Sequence, residues 1–144
     1  MPPSDSIETM IYNIDHVAIA VHDLDEAIER HRQLYGAEPM WREVVEEQGV
    51  EEAMIPVGGS FVQLLAPLAD STPVGRFLTR YGEGLHHIAY AVADIDAALT
   101  DLRAQGARLI DETARTGGRG AKIAFVHPAA FAGTLIELVE LPDE

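Results

Sequence analysis

The chain of 144 residues carries one pattern twice. Ile14-Asp15-His16-Val17-Ala18-Ile19-Ala20-Val21, followed by Asp23 and Asp25, recurs as Leu85-His86-His87-Ile88-Ala89-Tyr90-Ala91-Val92, followed by Asp94 and Asp96. A histidine, two alanines, a valine and both aspartates stand in register. Each copy ends in an apolar run broken by one polar residue, Phe61-Val62-Gln63-Leu64-Leu65 and Leu135-Ile136-Glu137-Leu138-Val139. His16 precedes Gln63 by 47 residues, and His87 precedes Glu137 by 50. Such a repeat restricts the fold to two copies of one supersecondary unit that bury their apolar faces together.

The unit begins with a strand, over 14–21 and again over 85–92. Alternation puts Val17, Ile19 and Val21 on one face and His16, Ala18 and Ala20 on the other. In the second copy Ile88, Tyr90 and Val92 oppose His87, Ala89 and Ala91. Small side chains beside each imidazole leave space that a packed core would fill. A helix follows each strand. Asp23 and Glu26 form a capping box, and Leu24, Ala27, Ile28, His31 and Leu34 keep helical spacing up to Gly36. Asp94 caps the second helix, with Ile95, Ala98, Leu99 and Leu102 inward and Gly106 as terminator. Three strands are expected after each helix: 38–45, 50–57 and 60–66 with a tight hairpin at Gly58-Gly59, then 107–113, 121–127 and 134–140. The expected fold is α+β, two tandem βαβββ modules over 12–68 and 84–142 whose sheets curve together around one cleft. A flexible tail over 1–11 precedes them, and a linker over 69–83 joins them with a short helix at 73–81.

His16, Gln63, His87 and Glu137 are the candidate metal ligands. A single strand histidine is ordinarily a hydrogen-bonded core residue; matched pairs at matched spacing set these four apart. Two imidazoles, an amide oxygen and a carboxylate suit a borderline divalent ion such as Co2+, Ni2+, Zn2+, Mn2+ or Fe2+. Four protein ligands leave open positions on a six-coordinate ion, as a catalytic metal requires. His22 and His31 have no counterpart, His86 is expected to face away from His87, and His127 before Pro128 ends a strand. Trp41 and Tyr90 are expected in the core. The absence of cysteine limits ligands to nitrogen and oxygen and fits a cytoplasmic protein. Met1 to Thr9 lacks the apolar core of a signal peptide, and no run reaches spanning length. The net charge of -14 argues against nucleic acid and anionic membrane as partners. An anionic substrate therefore needs local attraction, from a metal or from a few placed Arg and Lys.

Ile14-Asp15-His16-Val17-Ala18, Glu47-Gln48-Gly49-Val50-Glu51-Glu52, Gln63-Leu64-Leu65-Ala66-Pro67, Gly84-Leu85-His86-His87-Ile88-Ala89 and Leu135-Ile136-Glu137-Leu138 together resemble the vicinal oxygen chelate superfamily, that of glyoxalases, bleomycin resistance proteins and dioxygenases. Within it they resemble the methylmalonyl-CoA epimerase family, from about Tyr12 to Pro142. The resemblance implies an isomerase that epimerises (2R)- and (2S)-methylmalonyl-CoA by α-proton abstraction, through an enolate stabilised by a divalent ion. It implies metal ligands at His16, Gln63, His87 and Glu137, with Co2+ the first expectation and Zn2+, Ni2+ or Mn2+ as alternatives. It implies a catalytic base at the last residue of Gly-Val-x-Glu, which is Glu52, and Glu137 as second acid/base. Glu51 fills the variable position. A CoA thioester as small-molecule partner and a homodimer are also implied. Arg115, Arg119 and Lys122 around Thr116-Gly117-Gly118, with Arg76 and Arg80, are candidates to grip the phosphates of the CoA tail. Alternation places Glu52 on one face with Met54, an apolar setting that raises a carboxyl pKa. The competing expectation is a glyoxalase I-like lactoylglutathione lyase or another metalloenzyme of the same fold. Such a lyase commonly carries Glu where Gln63 stands and has no need of the Gly-Val-x-Glu segment.

Overall fold

In the computed structural model, residues 9–143 are described. The expected tail over 1–11 falls mostly outside them, and its last residue, Ile11, already opens a strand. The elements are β1 (Ile11–Ala20), α1 (Leu24–Tyr35), β2 (Trp41–Val45), β3 (Val50–Val57), β4 (Ser60–Pro67), α2 (Pro73–Tyr81), β5 (Gly84–Val92), α3 (Ile95–Ala104), β6 (Arg115–Thr116), β7 (Lys122–Val126) and β8 (Ile136–Glu140). Among the described residues the strands form one eight-stranded sheet in the order β2-β3-β4-β1-β5-β8-β7-β6. Two βαβββ units thus meet along an antiparallel β1–β5 seam. First and last strands of each unit pair in parallel, β1 with β4 and β5 with β8. The fold is the α+β arrangement that the repeat requires. No helix among the described residues is long and apolar enough to cross a membrane.

Helices α1 and α3 cover the outer face because their apolar stripes match it, whereas α2 packs through Val74 and Leu78 on the inner-face cluster. Asp23 and Asp94 cap α1 and α3 by accepting the backbone N–H of Glu26 at 3.0 Å and of Ala97 at 3.1 Å. Leu24 and Ile28 pack on Val21, Ala53, Ile55 and Leu64, while Ile95, Ala98 and Leu99 pack on Val92, Ala124 and Leu138. Each such buried Leu or Ile contributes about 1.5–3 kcal/mol. The inner face is then free to carry polar groups among Ala18, Ala20, Leu65, Ala89, Ile123 and Phe125.

The expected strand over 107–113 does not form. Only Leu109 bridges to Val126. The N–H groups of Ile110 and Asp111 both donate to the carbonyl of Phe125, and the Asp111 carboxylate accepts the Phe125 N–H at 2.8 Å. A side chain has taken a ladder acceptor's place, so pairing resumes only at the two-residue β6. Trp41 is not a core residue either. It opens the edge strand β2, is 45% exposed and donates its indole N–H to Glu43.

Two irregularities in the β1–β5 ladder matter for the site. Pairing steps from Ile14↔Tyr90 to His16↔Ala89, leaving Asp15 as an extra residue, and from Ala18↔His87 to Ile19↔Leu85, leaving His86 as another. A bulge re-aims the extra side chain and breaks the alternation of faces.

Candidate active site

The seam brings the four repeat-matched residues together in two cross-strand rows. One row runs His16, Ala89, Glu137 across β1, β5 and β8; the other runs His87, Ala18, Gln63 across β5, β1 and β4. In each row an alanine with no exposed surface separates the two polar side chains, so they lean over it toward a common point. His16 Nε2 lies 3.2 Å from His87 Nε2 and 3.0 Å from Glu137 Oε1, and His87 Nε2 lies 3.1 Å from the same oxygen. All four residues are buried.

These positions fit a bound cation. Donor atoms held about 2.1 Å from one octahedral ion stand about 3 Å apart, which is the spacing of the two ring nitrogens and the carboxylate oxygen. Among the described residues this His, His, Glu group has the geometry to hold a metal. Gln63 supplies independent support. Its Nε2 donates to Glu52 Oε1 at 3.1 Å, while its Oε1 is buried without a hydrogen-bond partner. An unpartnered buried carbonyl costs about 1–3 kcal/mol, a cost that a cation held beside the two histidines would remove.

The charges follow from these contacts. Burial pulls the His16 imidazole down, but its hydrogen bonds to Asp15 and Glu137 outweigh this and hold it at about 9. Burial also opposes the Glu137 charge, yet the hydrogen bonds from His16 and His87 hold its carboxyl well below the usual range. His87 is pushed down, chiefly by burial. Glu52 is pushed up to about 7, first by burial and then by the nearby Glu43 charge.

Glu52 stands on β3, where it shares a face with Met54 and pairs with Leu65 of β4. A loop of the second unit lies directly over it. A Cβ built on Gly118 would be 2.6 Å from Glu52 Oε2, so the backbone approaches this closely only because residue 118 has no side chain. The next residue, Arg119, takes a left-handed φ of 57° and donates its N–H to Glu43 Oε1 at 2.6 Å. Its guanidinium pairs with Asp15 Oδ2 at 2.5 Å and lies over the Phe61 ring. Glu51 points elsewhere, to Arg42.

Three further residues enter the site, the first two at strand positions that alternation assigns to the opposite face. Asp15, on its bulge, receives a hydrogen bond from His16 Nδ1 at 2.6 Å and is neutralised by Arg119. His86, expected to face away from His87, instead sets its Nδ1 2.8 Å from His87 Nδ1. Arg119, grouped with possible phosphate contacts, is committed inside the site, while Arg115 and Lys122 lie in ion pairs with Asp111 and Glu140. Each of the first two directly precedes an aligned histidine, a position that by alternation alone points away from the site. Beside His86 and His87 opens a mainly apolar cavity of about 180 Å3, with Val50, Leu65, Val74 and Phe125 among its walls.

Comparison with known proteins agrees with this geometry. Residues 15–125 match the model of the Glyoxalase/Bleomycin resistance protein/Dioxygenase superfamily. A variant of Streptomyces coelicolor methylmalonyl-CoA epimerase, in complex with 2-nitronate-propionyl-CoA, is 44% identical, with a TM-score of 0.88 over 91% of this chain and 95% of that one. The Mycobacterium tuberculosis methylmalonyl-CoA epimerase is 39% identical, with a TM-score of 0.91 over 97% of this chain and 95% of its own. The ethylmalonyl-CoA/methylmalonyl-CoA epimerase of Cereibacter sphaeroides is 37% identical over 92% of this chain and all of its own length. The chain belongs to the glyoxalase, bleomycin resistance protein and dioxygenase superfamily and, within it, to the methylmalonyl-CoA epimerase family.

Proposed function

We propose that the chain is a metal-dependent isomerase that interconverts (2R)- and (2S)-methylmalonyl-CoA by moving the proton between the thioester and the carboxylate. The observation that carries this reading is Glu52, a buried carboxyl raised to about 7, hydrogen-bonded to the amide of Gln63 beside the donor cluster. His16, Gln63, His87 and Glu137 would hold the ion, with Co2+ first in expectation. When bound, a divalent ion supplies Lewis-acid stabilisation of the negative charge that develops on the thioester oxygen as the α-proton leaves.

The rest is done by the chain's own groups. The donor set brings one formal charge, that of Glu137, and Arg119 offsets Asp15, so a divalent ion leaves the centre positive toward an anionic substrate. Glu52 takes the α-proton from one epimer and, in the reverse direction, returns a proton to that same face, which a carboxyl near neutral does in both directions. Inversion needs the proton delivered from the opposite face. Gly118 and Arg119 close over Glu52 and exclude water from it. Glu137, on the other half of the sheet, is the second acid/base, serving the opposite face. Its depressed pKa makes it the weaker base of the two. A glyoxalase I-like lyase does not explain the buried carboxyl on β3. A CoA thioester as partner, a homodimer and a cytoplasmic location belong to the same reading.

The test is exchange of the α-proton of methylmalonyl-CoA with solvent deuterium, with and without divalent metal. Metal-dependent exchange is expected. Absence of exchange with metal present, alongside turnover of a methylglyoxal–glutathione adduct, would overturn the reading. In Glu52→Gln the metal should stay bound, because the amide oxygen still accepts from Gln63, while exchange falls by about 10²–10⁴-fold. Full activity in that variant removes Glu52 as the base.

A further inference from the structure

The two histidines of the site are held from behind by chemically different partners. Asp15 and His86 occupy the same place in the two copies of the repeat, each directly before its histidine, and each is the extra residue of a bulge. Asp15 Oδ2 stands 2.6 Å from His16 Nδ1, and His86 Nδ1 stands 2.8 Å from His87 Nδ1. The His86 and His87 rings cross at 77° with centroids 5.1 Å apart. His86 is fixed in turn by Phe77 of α2, whose ring meets it edge-on at 4.8 Å. The linker helix therefore buttresses the back of His87.

A neutral imidazole that binds a metal through Nε2 carries its single proton on Nδ1. His87 Nδ1–H is then a donor, and among the described residues the group set against it is His86 Nδ1. His86 must offer that nitrogen as an acceptor and keep its own proton on Nε2.

We infer that His86 is the positioning residue for His87, a neutral acceptor that fixes its tautomer and ring plane as the Asp15 carboxylate does for His16. The inference rests on the reading of His87 as a metal ligand. The difference between the partners is functional. A carboxylate behind an imidazole adds negative charge and strengthens it as a donor, whereas an imidazole orients without adding charge. A second carboxylate would lower the positive charge available to the oxyanion that develops on the substrate. Asp15 brings a charge that Arg119 offsets, whereas His86 brings none and, among the described residues, has no cation beside it to offset a carboxylate in its place.

The experiment titrates the full chain, stripped of metal, with Co2+ alone, reading visible absorption and affinity by competition with a chelating dye. His86→Phe keeps a ring against Phe77 but has no acceptor, and should bind Co2+ about 10–100-fold more weakly. His86→Asn, whose side-chain oxygen can accept from His87, should recover most of that loss. His86→Asp, which copies the first half, should bind at least as tightly as the parent with an altered spectrum, yet lower kcat. If His86→Phe binds Co2+ with parental affinity and spectrum, the inference falls and the metal reading stands. Should His86→Phe not fold, unchanged affinity and spectrum in His86→Asp overturn the inference equally. A parent chain that binds no Co2+ removes both.

Discussion

A carboxyl shuttles protons near neutral pH when its surroundings penalise its charge while leaving it a hydrogen bond. Glu52 is placed in this way by burial, by Glu43 across the β2–β3 ladder and by the Gln63 amide. Glu43 acts through its negative charge, so removing that charge lowers the Glu52 pKa and keeps the basic form present to lower pH. In Glu43→Gln the acid limb of the kcat/KM profile should therefore move to lower pH, measured by initial rates across pH at saturating metal. A limb that stays or moves upward would contradict the role given to Glu43. The charge of a bound ion acts in the same direction, so the limb in the parent should lie at or below about 7. Glu52 was legible in the sequence only through the Gly-Val-x-Glu segment; by composition it is one acid among many between Glu43 and Glu52. Asp15 and His86 were not legible, because alternation assigns the neighbours of His16 and His87 to the opposite face. Bulges are set by the pairing of two distant strands, which no local pattern reports.

At the level of elements, the strand pair β1 and β5 does the positioning through what it lacks. Ala18 and Ala89 sit between the donors of each row with no exposed surface. Ala89→Val would push a branched side chain between His16 and Glu137, and overpacking of this kind costs about 1–3 kcal/mol. Urea denaturation should show that loss, and Co2+ affinity should fall in the same variant. A fully stable, fully metal-competent Ala89→Val would mean that the row is not closely packed. Element boundaries were legible where backbone chemistry marks them. The range 50–57 follows from Gly49, with its φ of 69°, and from the Gly58-Gly59 turn. The helix at 73–81 follows from Thr72, whose hydroxyl accepts the Gly75 N–H, and from Pro73 at its first position. The failure at 107–113 has an equally specific cause, since Asp111 spends its carboxylate on the Phe125 N–H.

For the whole molecule, the site couples folding to protons and metal. Without metal, the raised pKa of His16 means that its contacts stabilise the folded chain fully below about 6.5 and that this contribution is lost as pH rises through about 9. The ion competes with that same proton, so its uptake releases protons and strengthens as pH rises. The gain in Tm on adding Co2+ should therefore grow from about pH 6.5 to about pH 8. Calorimetry in buffers of different ionisation enthalpy should report the released proton. A gain that shrinks over this range would contradict the link between His16 and the ion. The site spans both units, with Asp15 on β1 tied to Arg119 of the second unit, so loss of either half removes the centre.

The paired bulges also bear on how a protein of this kind can change. A position that touches a ligand without being one offers inheritance a dial: its side chain alters the electronic character of a bound ion while the ligand set stays intact. Because the unit is repeated, there are two such dials, and they turn independently. With aspartate at one and histidine at the other, single substitutions at residues 15 and 86 are the short evolutionary route from one reactivity to another on an unchanged scaffold.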